Sequence, residues 1–147
     1  MSTESVQNVA VPWTRVWLLF TFVTNLAGFD TAITISNISL DNFGTKPEAG
    51  HALLLFYGVG APGLSNTGGT GGPGLINTGN LAAGQVWANT LSSIAPGFQG
   101  YVIALCNFPA RGLAVLQRVG GSDAAPYVAE VLRVVPAGLL PEQVVAK

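Results

Sequence analysis

Two apolar runs set close together constrain this chain more than any other feature. Between Ile94 and Val119, Ala95-Pro96-Gly97 signals a turn. Tyr101-Val102-Ile103-Ala104-Leu105-Cys106 then has the length of one buried strand. Asn107-Phe108-Pro109 interrupts it, and Gly112-Leu113-Ala114-Val115-Leu116 follows. Two β-rich runs joined by a proline-containing break predict the centre of a sheet.

The pattern extends in both directions. Val16 to Asn25 is rich in aromatic and β-branched residues. Val16, Leu18, Phe20 and Phe22 fall on one face, and Trp17, Leu19, Thr21 and Val23 on the other. Both faces are apolar, so this strand is expected to be covered on both sides. Leu26-Ala27-Gly28 reads as the next turn. In Phe29 to Ser39, Thr31, Ile33 and Ile35 alternate with Ala32, Thr34 and Ser36, as in a sheet with one wet face. Asp41 to Glu48 is a loop dense in turn formers. His51 to Gly58, Leu75 to Asn80 and Gln85 to Leu91 read as further strands. Gly120 to Pro126 reads as a linker-like turn. Tyr127 to Val135 has residues that suit a helix, but its β-branched content and the Pro136 stop favour a strand.

The resulting expectation is all-β: an antiparallel β-sandwich or jelly roll of about seven or eight strands. Residues 1–15 read as an N-terminal arm, 16–135 as a single domain and 136–147 as a tail. The tail contains one helical turn opened by Pro141-Glu142. Within the domain, 60–74 is a glycine-rich loop from which no packed core can be built.

Charge narrows the function. Of 147 residues only 6 are basic and 7 acidic, giving a net charge of −1. Charged residues make up 9% of the chain, where a soluble domain carries about 25%. So weakly charged a surface gives little repulsion between copies and favours association. Arg15, Lys46, Arg111, Arg118, Arg133 and Lys147 are scattered, so no basic stripe exists to meet nucleic acid phosphates. No run approaches the ~18 apolar residues of a membrane helix, so no membrane span is expected. Met1 to Ser5 has no basic leader and Trp17 to Phe20 is short, so a secretion signal is not expected either.

Chemistry-bearing residues are sparse. His51 is the single histidine, and any Ser-His-Asp or Cys-His pair must use it. It opens an apolar strand, which is an ordinary strand-edge position. Cys106, the single cysteine, lies inside the most apolar run and reads as a buried, inert thiol. One His and one Cys cannot fill a structural zinc site. Asp30, Asp41, Asn37 and Asn42 could offer oxygens to a hard cation, but they suit turns better. Glu48, Asp123 and Glu130 complete a set of acids too thin for a glycosidase pair. The glycine-rich loop lacks the Gly-Lys-Ser/Thr of a phosphate loop. Asn37-Ile38-Ser39 is a formal glycosylation acceptor beside a strand.

The expectation is therefore a non-catalytic structural protein, with no cofactor and no metal, that assembles with itself into a homo-oligomer, shell or filament. The expected contacts are Trp13 in the arm, Trp17, Tyr127, Val131, and Leu139 and Leu140 in the tail. The alternative is a surface module that binds a glycan or protein through the glycine-rich and Asp41–Glu48 loops.

Several segments together carry a resemblance. They are Phe29 to Ser39, Phe43-Gly44-Thr45, Leu55-Phe56-Tyr57-Gly58, Ala95 to Tyr101, and Cys106-Asn107-Phe108. Over roughly 16–119 the chain resembles uncharacterised β-sandwich domains of bacterial surface and secreted proteins. The resemblance implies the same fold and an extracellular or cell-surface setting. Its shared motifs are turn and core signatures, and it implies no catalytic residues.

Overall fold

A computed structural model describes residues 14–61 and 74–134. The strands are β1 (Val16–Thr24), β2 (Phe29–Asn37), β3 (Ala52–Val59), β4 (Gly74–Asn77) and β5 (Val86–Thr90). After a helical turn, α1 (Leu91–Ile94), come β6 (Gln99–Cys106), β7 (Ala110–Arg118), β8 (Ala124–Val128) and β9 (Glu130–Val134). They form a five-stranded sheet, β4-β3-β6-β1-β9, and a four-stranded sheet, β5-β2-β7-β8. Every pairing is antiparallel. The chain is a β-sandwich, as its alternation predicts.

The core is the alternate set of side chains from both sheets. Val16, Leu18 and Phe20 of β1 meet Leu54 and Phe56 of β3 and Val102 and Ala104 of β6; Ile33 and Ile35 face them from β2. Phe98 packs edge-on against Phe56, with ring centroids 5.1 Å apart.

The two central runs do not pair with each other. β6 is the middle strand of one sheet and β7 an inner strand of the other. The break between them, Asn107-Phe108-Pro109, has no glycine to supply the positive φ of a tight hairpin. It is a corner instead. Phe108 is fully buried there. The Asn107 Oδ1 accepts from the His51 amide at 2.8 Å, and the Ile38 amide donates to the Pro109 carbonyl at 2.9 Å. Only β3–β4 and β7–β8 follow each other within a sheet; every other connection crosses the sandwich.

Three further expectations change. The register of β1 shifts between Phe20 and Val23. That bulge turns Phe22 outward, 44% exposed, and Val23 into the core. Tyr127 to Val135 is not one strand. β8 begins earlier, at Ala124, and carries Pro126 on a sheet edge, where a missing N–H is harmless. At the buried Ala129 the chain crosses to the other sheet, its amide donating to the Gly112 carbonyl at 2.9 Å. The strand expected to run to Leu91 ends at Thr90. α1 follows because Leu91 drops into the core and Asp30 accepts from the Ser92 amide and hydroxyl.

Candidate functional site

The two outer faces of the sandwich are built from different chemistry. On the four-stranded sheet, the outward positions mix small and polar groups, Ala32, Thr34 and Ser36 of β2, Ala88 of β5, and Arg111 and Gln117 of β7, with the apolar Val86, Leu113, Val115 and Val128. Across β2 these apolar groups meet Ser36, Thr34 and Ala32, so their rows are broken by small or polar side chains.

The five-stranded sheet presents large apolar groups outward. One cross-strand row runs Trp17, Leu105, Leu53 and Asn77. The next runs Leu19, Ile103, Leu55 and Leu75. A third pairs Tyr101 with Tyr57, whose rings stack 5.0 Å apart and 13° from parallel. Leu75 is 50% exposed and Tyr101 43% exposed, and the leucines and isoleucine between them are half-buried. Leu105 is buried yet stands apart from the core cluster, because its neighbours are the other side chains of this outer face. Completing the burial of one such side chain is worth up to ~1.5–3 kcal/mol. A row of them left against water is a large unspent driving force for association.

Among the described strand residues of this sheet, charge enters the face along β9. Arg133 lies across from Trp17, with its guanidinium 5.0 Å from the indole centroid, and Glu130 lies across from Leu19. A bulge between them keeps both on the outward side.

The contacts expected from the sequence separate on this frame. Trp17 sits at the centre of the face's edge, its Nε1 donating to Thr14 Oγ1 at 2.9 Å. Val131 is exposed on β9 beside Leu18. Tyr127 is engaged inside the chain: its hydroxyl donates to the Phe22 carbonyl at 2.6 Å and accepts from the Phe22 amide at 3.3 Å. It thereby satisfies the backbone groups that the β1 bulge releases. Trp13, Leu139 and Leu140 lie outside the described residues, as does most of the glycine-rich loop. Leu53, Leu55, Tyr57 and Ile103 were not anticipated as surface residues. Their signal was present, since β3 and β6 are apolar at both parities, but such runs equally describe a strand buried on both faces.

The residues with reactive groups do not converge. Cys106 is sealed in the core, and burial pushes its thiol up to about 12, away from the thiolate a nucleophile needs. The His51 ring places its Nδ1 3.5 Å from Asn107 Nδ2. Asp30 holds the Ser92 hydroxyl at 2.6 Å at the opposite end of the sandwich. Asn37 is buried with its amide nitrogen donating to the Glu48 and Leu81 carbonyls, so the glycosylation acceptor is occupied in the folded chain. Among the described residues, no three of His, Cys, Asp and Glu come together as metal ligands.

The Asp41–Glu48 loop forms a second, smaller surface. Asp41 accepts from the Thr45 hydroxyl and from the amides of Phe43 and Thr45, and these bonds hold its carboxyl below the usual value. Phe43 stands at the tip, 91% exposed. No family model matches the chain, and no curated protein or solved structure matches it.

Proposed function

We propose that this chain is a non-catalytic structural subunit that assembles with copies of itself. The apolar outer face of the five-stranded sheet carries the reading. It places Leu19, Leu53, Leu55 and Ile103 where a second layer of protein would complete their burial. The opposite face breaks up its apolar positions, Val86, Leu113 and Val128, with Thr34, Ser36, Arg111 and Gln117. A net charge of −1 offers little resistance to association. An extracellular or cell-surface setting is what the sequence resemblance implies for such a subunit.

The native mass at micromolar concentration tests this reading. A uniform particle larger than the 15.1 kDa chain is expected. A monomer that persists to ~100 μM, where even weak specific interfaces form, overturns it.

One observation supports a second reading, a surface module for a glycan or protein ligand. Phe43 is held outward on a loop that Asp41 organises, as a binding anchor would be. Ligand capture abolished by Phe43→Ala, in a protein that stays monomeric, would favour it over self-assembly.

A further inference from the structure

Resting on the self-assembly reading, we propose that the five-stranded face packs on the same face of a second copy. The two-fold axis runs perpendicular to the strands, so that β6 lies on β6 of the other copy.

Three features of the face select a second copy over other occupants. The first is shape. A sheet face carrying leucine, isoleucine and tyrosine in cross-strand rows fits another sheet face, since two such layers interdigitate ~10 Å apart. The second is area. Five strands ~4.8 Å apart, from four residues (β4) to nine (β1) long at ~3.4 Å per residue, give a face of roughly 550 Å² in projection. Each partner in a standard protein interface contributes ~800 Å² of accessible surface, which a corrugated face of that size supplies.

The third is charge. The β9 border carries one acid and one base, Glu130 and Arg133, on neighbouring rows of the same face. An axis lying between those rows exchanges them. It brings Glu130 of each copy towards Arg133 of the other, twice, while Trp17 meets Leu19 and Leu105 meets Ile103. The face is thus complementary to itself, as an isologous contact requires. A sugar ring fits less well. Tyr57 and Tyr101 stack on each other, so each covers one ring face that a sugar would need.

The test is charge complementation at the centre of the face. Ile103 is half-buried there on the middle strand, separated from Glu130 at the end of its row by Leu19 of β1. Ile103→Lys and Ile103→Glu are each expected to weaken association by at least ~100-fold, because the axis sets two like charges close together in a desolvated layer. Mixing the two variants is expected to restore the dimer mass of twice 15.1 kDa, or multiples of it. Leu113→Lys, on the other sheet's outer face, is expected to leave the mass unchanged. Hydroxyl-radical labelling of wild-type Tyr57 and Tyr101 is a check that needs no variant, with protection that fades on dilution.

A wild-type chain that is itself monomeric overturns this proposal together with the self-assembly reading. A wild-type oligomer whose mass survives both Ile103 variants overturns the proposal alone and moves the interface elsewhere. So does a wild-type oligomer with unprotected tyrosines. Dissociation of each variant without recovery in the mixture overturns the two-fold.

Discussion

Asn37 fastens one end of the sandwich. Its Nδ2 donates to the carbonyls of Glu48 at 2.7 Å and Leu81 at 3.0 Å, and its Oδ1 accepts from the amide and hydroxyl of Ser39. Its backbone adds bonds to Gln85 and Gly84. One side chain thus pins both ends of the β2–β3 loop and the loop before β5. Truncation to alanine leaves the Glu48 and Leu81 carbonyls with the Ser39 hydroxyl and the Gly50 amide but strands the buried Ser39 amide, so the cost is about 1 kcal/mol for each bond lost and about 1–3 kcal/mol for that amide. Asn37→Ala is therefore expected to destabilise by about 3 kcal/mol, read as a fall in the urea midpoint with an unchanged slope. Against a total stability of ~5–15 kcal/mol the loss is large. Cys106 provides a second residue-scale effect. Burial raises its pKa to about 12, while an unfolded thiol titrates near ~8.5. Between those values the unfolded chain gives up a proton that the folded chain keeps, so stability falls as pH rises through that window. Burial of Tyr57 and Tyr127 raises their pKa values and acts with the same sign. Urea midpoints measured from pH 7 to 11 should decline, and Cys106→Ala should flatten part of the slope.

At the scale of elements, the β3–β6 pair is the place where backbones come closest. A Cβ on Gly100 would lie 2.1 Å from the Tyr57 carbonyl oxygen and 2.9 Å from the Gly58 Cα, both main-chain atoms that cannot rotate away. Gly58, its cross-strand partner, has φ of +152° and equally little room. Gly100→Ala is expected to separate the strands locally and destabilise by ~1–3 kcal/mol, with faster amide exchange at Tyr57 to Val59. The alternation of Thr31, Ile33 and Ile35 made β2 legible in the sequence, because one face is wet and the other dry. Elements set by tertiary contacts were not legible. The β1 bulge reverses the parity after Phe20, and the signal for it is a hydroxyl 105 residues away, that of Tyr127. The corner at Phe108 and the crossing at Ala129 likewise depend on which sheet receives the next strand. No local pattern encodes that. The candidate face was half legible: Trp17 stood out, but the apolar residues of β3 and β6 read the same whether a second layer covers them or not.

At the scale of the whole molecule, the proposed dimer is held by apolar burial, with charge confined to the Glu130 and Arg133 border. That division fixes its response to solvent. Salt screens exposed ion pairs over a Debye length of ~10 Å at 0.1 M and ~3 Å at 1 M, and leaves apolar burial almost untouched. Raising sodium chloride from about 50 mM to 1 M is therefore expected to raise the dissociation constant by no more than ~30-fold, the most that two bordering pairs worth ~0–1 kcal/mol each supply. Sulfate, which is excluded from protein surfaces, is expected to tighten the association, and urea below the unfolding transition to loosen it. The Ile103→Lys variant should behave in the opposite way. Its residual association should strengthen with sodium chloride, because screening relieves the like charges at the axis. Sedimentation velocity across these salts separates the two regimes. Wild-type association that collapses as chloride rises would mean that scattered surface charges, and not the uncharged sheet face, hold the copies together.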